Sequence, residues 1–142
     1  MNVSHILTRP MVTIKVGDTV LTAAKLLVQN NIGLLVVTEA ATDGRLVGVI
    51  SERDIIKVVA SGRGLEVPVK DVCTKSVVTV HGKSDVAEAA KAMNGHGIRH
   101  VVVVDDSGRP IGVVSMRDLV GERATLTAIL QSNEKEIFHG AD

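Results

Sequence analysis

The chain has 142 residues, 45% of them hydrophobic but only 1% aromatic, with Phe138 the single Phe, Trp or Tyr, so it can bury a core, but an aliphatic one. Sixteen basic residues balance sixteen acidic ones, which argues against a nucleic-acid binder, since such proteins carry a basic stripe and often aromatic stacking platforms. Cys73 is the one cysteine, so no intrachain disulfide forms, and no apolar run approaches the roughly 18 residues of a membrane helix.

The chain opens on MNVSHILTRPMV, which lacks the charged n-region and continuous apolar stretch of a signal peptide. The expectation is a cytoplasmic protein without membrane attachment. A short apolar strand is predicted over 12–16. An amphipathic helix follows, with Val20, Ala23, Ala24 and Leu27 at i, i+3, i+4 and i+7 and Asn30-Asn31 as its stop signal. Strands over 33–39 and 45–51 are joined by a turn containing Asp43-Gly44, and a second helix begins at Ser51. SGRGLEVPVKDVCTKS (61–76), rich in glycine and then carrying Pro68, reads as a connection.

The order then recurs. A strand over 77–80 leads to a helix with Val86, Ala89, Ala90 and Met93 on one face and Asn94-Gly95 near its end. Strands over 100–105 and 109–115 flank a turn at Ser107-Gly108. The run Val101–Val104 suits a strand covered on both faces. The tail, ATLTAILQSNEKEIFHGAD, places Leu126, Ile129 and Leu130 at helical spacing with nothing evident to pack on inside one protomer, which suggests a partner subunit.

The recurrence is a duplication. GVISERD (48–54) returns as GVVSMRD (112–118), VTIKVGDTVLTAAKLL (12–27) lies over VTVHGKSDVAEAAKAM (78–93), and NIGLLVVTE (31–39) lies over GIRHVVVVD (97–105). The offset falls from 66 to 64 across a turn, where related units tolerate a length change. The class is α/β: two β-α-β-β-α repeats, 1–61 and 77–124, with a linker at 62–76 and a helical tail at 125–142. A unit of about 60 residues is marginal alone. The copies are therefore expected to pack about a pseudo-twofold axis, leaving two similar clefts.

The repeated phrase has a structural meaning and a chemical one. Ser51 and Ser115 suit helix N-caps, with Asp54 and Asp118 at N3 completing a capping box. As a ligand site, Gly48 and Gly112 leave room for a close approach at a strand end. The helix N-termini favour an anion, and Arg53 and Arg117 add guanidinium forks. Asp54 and Asp118 can accept from both hydroxyls of a ribose. Phosphate cradle, ribose acceptor and apolar slot together describe an adenine-nucleotide site.

Two β-α-β-β-α units ending in G-h-h-S-x-R-D, with GIRHVVVVD before the second, closely resemble a tandem pair of CBS domains, a Bateman module, over roughly residues 3–122. The resemblance implies interdomain clefts for an adenosine-containing ligand (AMP, ADP, ATP, S-adenosylmethionine or NAD(H)). It also implies a homodimer and a non-catalytic module that changes shape on binding and passes this to a regulated protein partner. By motif position, one site joins Ser51, Arg53 and Asp54 to Thr79, Val80, Arg99 and His100. The other joins Ser115, Arg117 and Asp118 to Thr13, Ile14, Gly33 and Leu34. Only the first gains Arg99 and His100, so it is expected to bind phosphorylated ligand more tightly. Many family members carry proline in the second strand, at about the place of Leu35 and Val102 here.

Two rival readings are a ligand-free dimerisation or interaction scaffold and an NAD-dependent enzyme. The second lacks an evident nucleophile or acid/base pair. No P-loop or G-x-G-x-x-G pattern occurs. His96 and His100 lack a third ligand at recognisable spacing, so no metal site is assigned. His5, His81 and His139 read as surface residues, Glu39, Asp105 and Asp106 as solvated turn carboxylates, and Cys73 as an inert thiol.

Overall fold

A computed structural model of the protein describes residues 1–7, 9–39, 44–121, 127 and 129–131. The chain divides into two compact units. One is Met11–Val77; the other joins Met1–Pro10 to the chain from Val78 onward.

The Met11–Val77 unit contains β1 (Thr13–Lys15), α1 (Val20–Asn30), β2 (Leu34–Thr38), β3 (Leu46–Ser51) and α2 (Glu52–Ala60). Its sheet has the order β1-β2-β3, with β1 parallel to β2 and β2 antiparallel to β3. The other unit repeats this plan with β4 (Thr79–His81), α3 (Val86–His96), β5 (His100–Val104), β6 (Pro110–Ser115) and α4 (Met116–Gly121). The expected β-α-β-β-α order is present twice. Among the described residues no helix is long and apolar enough to cross a membrane.

The central strands are aliphatic, rich in valine, and buried. Leu35, Val36 and Val37 of β2 and Val101, Val102 and Val103 of β5 are at most 1% exposed, as a strand covered on both faces requires. Gly44 and Gly108, at the hairpin turns, take φ of 88° and 79°. Asp43, read as part of the first turn, lies outside the described residues.

The helix stripes face these sheets. Val20, Ala23 and Leu27 are buried from α1, with Ala24 half-buried; Val86, Ala89, Ala90 and Met93 are all buried from α3. Thr19 caps α1, its hydroxyl accepting from the Thr22 N–H at 3.1 Å, and Asp85 does the same for α3 through Ala87 at 2.9 Å. Asn31 ends α1 in the left-handed region at φ 52°. In α3 the stop differs from the expected Asn94-Gly95: the helix continues to His96 and ends at Gly97, φ 64°, whose N–H reaches the Met93 and Asn94 carbonyls. The left-handed residue after the last turn ends the helix, and glycine takes that geometry without the Cβ penalty. A Cβ at Gly97 would meet nothing within 4 Å, so Gly97→Ala isolates the backbone term. It is expected to cost about 1 kcal/mol in a denaturant melt.

Residues 62–76 are more than a connection. They include a 3-10 turn, Val69–Asp71, with Val69 fully buried and Val72 and Cys73 packed on the core of the Met11–Val77 unit. Thr74 pairs with Val49 of β3 through backbone hydrogen bonds of 2.9 and 2.8 Å. The matching stretch at the chain start is a 3-10 turn, Val3–Ile6. It buries Val3 and Ile6 in the other unit and donates from Val3 and Ser4 N–H groups to Ser84 and Gly82 carbonyls at 2.8 and 2.9 Å. Each sheet is thus bordered by the segment that precedes the other repeat in sequence.

Ile129 corrects the reading of the tail. It is fully buried in the same core as Val3, Met93 and Leu119, so part of the tail packs within its own chain. Leu130 is exposed. Leu126, Phe138, His139 and the 124/125 boundary lie outside the described residues.

Candidate functional site

Each repeated phrase straddles a strand end and a helix start. In the Met11–Val77 unit, Ser51 ends β3 in extended backbone and caps α2. Its hydroxyl accepts from the Asp54 N–H at 3.2 Å, while Asp54 Oδ2 accepts from the Ser51 N–H at 2.9 Å. The other unit repeats the pair: Ser115 Oγ accepts from the Asp118 N–H at 3.1 Å, and Asp118 Oδ2 accepts from the Ser115 N–H at 2.9 Å. The capping role is therefore real. It commits Oδ2 of each carboxylate and leaves Oδ1 outside the capping pair.

The second oxygens meet residues not singled out from the sequence. The Thr74 hydroxyl donates to Asp54 Oδ1 at 3.2 Å. Arg9 Nη2 lies 3.2 Å from Asp118 Oδ1. Both partners come from the bordering segments, and one sequence signal marks them. Val3-x-x-Ile6-Leu7 lies over Val69-x-x-Val72-Cys73 at the same 66-residue offset as the first helices.

The glycines of the phrase need correction. A Cβ at Gly48 would lie 2.5 Å from the Thr74 carbonyl oxygen, and one at Gly112 would lie 2.7 Å from Leu7 Cδ2. The close approach they permit is that of the chain's own bordering segments, not of a ligand.

The remaining candidates fall as follows. Leu34 pairs with Ser51 and the Glu52 N–H reaches the Gly33 carbonyl at 3.1 Å; His100 pairs with Ser115 and the Met116 N–H reaches the Arg99 carbonyl at 2.8 Å. Within one unit, therefore, Ser51 and Asp54 neighbour Gly33 and Leu34, and Ser115 and Asp118 neighbour Arg99 and His100. The sets read from the resemblance each draw on both units. Arg53, Arg117, Arg99, Thr13 and Thr79 are exposed, and Val80 and His100 are half-buried. Ile14 is 3% exposed and packed in the core, so its side chain is unavailable to a ligand. Thr13 stands on β1, an outer strand of its sheet.

The register also refines the proline comparison. Thr13 pairs with Val36 and Thr79 with Val102, so Val36, not Leu35, is the counterpart of Val102. Their N–H groups donate to the Val12 and Val78 carbonyls, each at 3.2 Å. A proline there would lack that donor.

The other ionisable groups are accounted for locally. Burial pushes the Cys73 thiol above its ordinary range, with Lys75 opposing, which keeps it in the unreactive protonated form. His81 is tied down more than a surface reading implies. Its Nδ1 accepts from the Lys83 N–H at 3.0 Å, so the ring proton sits on Nε2, 2.6 Å from Asp106 Oδ1. That hydrogen bond, with the Lys83 charge, holds the Asp106 carboxyl below its usual range. His96 ends α3 and His100 opens β5. Among the described residues no three His, Cys, Asp or Glu side chains are grouped to hold a metal ion.

The doubled fold, with a Ser–Asp cap in each copy, agrees with comparison to known proteins. The CBS domain family model matches twice, over residues 3–61 and 69–124. The chain belongs to the CBS-domain family, as a tandem pair. Both matches begin at the bordering segments, at Val3 and Val69, so each matched sequence repeat opens with such a segment. A 17.7 kDa protein of Acidianus ambivalens is 38% identical over 117 residues, covering 82% of this CBS pair and 70% of that protein. Among solved structures, a CBS domain protein of Pyrobaculum aerophilum complexed with AMP is 38% identical with a TM-score of 0.88, covering 92% of this chain and 99% of that one. The CBS domain pair of protein MJ0100, in complex with 5′-methylthioadenosine and S-adenosyl-L-methionine, is 31% identical with a TM-score of 0.77, covering 85% and 94%.

Proposed function

We propose that this CBS pair is a non-catalytic regulatory module that binds an adenosine-containing ligand. The observation that carries the reading is the doubled cap, in which a part-buried carboxylate spends one oxygen on the helix and holds the other against one side-chain donor, Thr74 or Arg9. Such an oxygen suits a ribose diol. The similar proteins complexed with AMP and with 5′-methylthioadenosine and S-adenosyl-L-methionine support the same ligand class.

The sites in this reading combine Ser51, Arg53 and Asp54 with Thr79, Val80, Arg99 and His100, and Ser115, Arg117 and Asp118 with Thr13, Gly33, Leu34 and the backbone of Ile14. The module acts as a homodimer in the cytoplasm and signals to a regulated protein by a shift between dimer geometries. A ligand drives such a shift only by its differential affinity for the two states. Val28, Ile56 and Val59, on the neighbouring helices α1 and α2, are more than 60% exposed; a second copy is the occupant this reading assigns to them.

The test is thermal unfolding against AMP, ADP, ATP, NAD(H), 5′-methylthioadenosine and S-adenosylmethionine. A ligand present at about 100 times its Kd is expected to stabilise the fold by about 2.7 kcal/mol. A melting curve that moves with none of them favours the ligand-free scaffold instead.

A further inference from the structure

The two caps differ in what holds the second oxygen, Oδ1. Asp54 Oδ1 accepts from the hydroxyl of Thr74, a neutral group. Asp118 Oδ1 faces the guanidinium of Arg9 at 3.2 Å. Among the described residues no cation pairs with Asp54.

We propose that Arg9 is a side-chain gate on the second repeat's carboxylate, competing with ligand hydroxyls for Asp118 and so making the Asp118 site fill after the Asp54 site. The inference rests on the reading of Asp118 as a ribose acceptor. The chemistry is a competition between donors. Asp118 Oδ2 already accepts from the Ser115 N–H, so a diol that spans both carboxylate oxygens must share or displace the Arg9 guanidinium at Oδ1. A guanidinium has donors only, so it cannot turn to accept from a ribose hydroxyl. The Thr74 hydroxyl can rotate and do so.

The gate opens without unfolding. Val3 and Ile6 of the same segment are buried, and Leu7 packs against Gly112, so the backbone stays docked while Arg9 changes rotamer. The Arg9 side chain is 52% exposed and that of Asp118 22%. Displacing so exposed a pair costs little, which bounds the effect at about fivefold in affinity. Arg9 is a positioning residue that acts through Asp118.

The experiment uses the full chain carrying Asp54→Ala, which isolates the second site, and adenosine as the probe. Because adenosine is uncharged, removing a cation leaves no phosphate attraction to lose. Calorimetry is expected to show adenosine binding about two- to fivefold tighter when Arg9→Ala is added, with Arg9→Lys close to the parent. Raising ionic strength from about 0.01 to about 1 M shortens the Debye length from about 30 to about 3 Å. That is expected to tighten binding to the parent and leave the Arg9→Ala protein unchanged, a salt response that a merely structural arginine would not produce.

Unchanged or weaker binding after Arg9→Ala overturns the gate. So does a parent whose affinity ignores salt, or a parent without adenosine binding that gains none on Arg9→Ala. If the wild-type protein binds neither adenosine nor AMP, it is the ligand reading that fails.

Discussion

AMP binding at the Asp54 site is expected to fall at least a hundredfold on Asp54→Ala, whereas Asp118→Ala removes only the weaker site and leaves the higher-affinity phase of the titration in place. A carboxylate that accepts from both ribose hydroxyls makes two charge-assisted hydrogen bonds, each worth about 1.5–3 kcal/mol, and alanine removes both. Two features rank the sites. Arg99 and His100 join Asp54 in the proposed arrangement, while the Asp118 site receives Gly33 and Leu34. Arg9 already occupies Asp118. Either substitution also breaks a capping box, at about 1 kcal/mol of stability. Asp54→Asn separates the effects, because it keeps a cap-competent oxygen and loses the charge. Equal losses from Asp54→Ala and Asp118→Ala, measured by titration calorimetry, would refute the ranking. Arg99→Ala then tests the union of the units. If Arg99 serves Asp54, it weakens AMP in the Asp118→Ala background; an effect confined to the Asp54→Ala background would assign Arg99 to its own unit's cap, where the Met116 N–H meets its carbonyl.

The parts of this fold legible in sequence are those whose signal is local and periodic. The helix stripes from Val20 and Val86, the Val101–Val104 run and the phrase at Ser51 and Ser115 each carry their own pattern, and duplication confirms it. The bordering segments carry a weaker signal. Val3–Leu7 and Val69–Cys73 are too short for a period and differ at most positions, and which sheet a segment docks on is a non-local fact that neighbours in sequence do not encode. That one gap explains two others. Without the docked segments, Gly48 and Gly112 look like openings for a ligand, and Oδ1 of Asp54 and of Asp118 looks free. The end of α3 is ambiguous in sequence for a different reason: Asn94-Gly95 and His96-Gly97 both offer a glycine, and only the left-handed φ of Gly97 decides between them. Ile129 shows the reverse limit. Its spacing marks a helix, but the surface that covers it, the core around Met93 and Leu119, is assembled from distant sequence.

Gly48→Ala is expected to destabilise the protein by about 3 kcal/mol, well beyond the cost of Gly112→Ala, although the two glycines stand at equivalent places in the repeat. The difference lies in what the new methyl group meets. At Gly48 it would lie 2.5 Å from the Thr74 carbonyl oxygen, a backbone atom that accepts from the Val49 N–H while the Thr74 N–H donates to the Val49 carbonyl. The methyl cannot fit unless the Thr74 segment moves away from β3, and overpacking against a fixed neighbour costs about 1–3 kcal/mol, with a strained ladder added here. At Gly112 it would lie 2.7 Å from a terminal methyl of Leu7, the far end of a side chain that can change rotamer, so the cost stays near the low end of that range. Chemical denaturation of both variants reads the difference directly. The same displacement carries Thr74 away from Asp54, so Gly48→Ala is also expected to alter AMP binding at the Asp54 site, while Gly112→Ala leaves that site unaffected. Equal destabilisation by the two substitutions would mean that the Thr74 segment yields as easily as a leucine side chain, and the docked border of the first sheet would then be a loose contact.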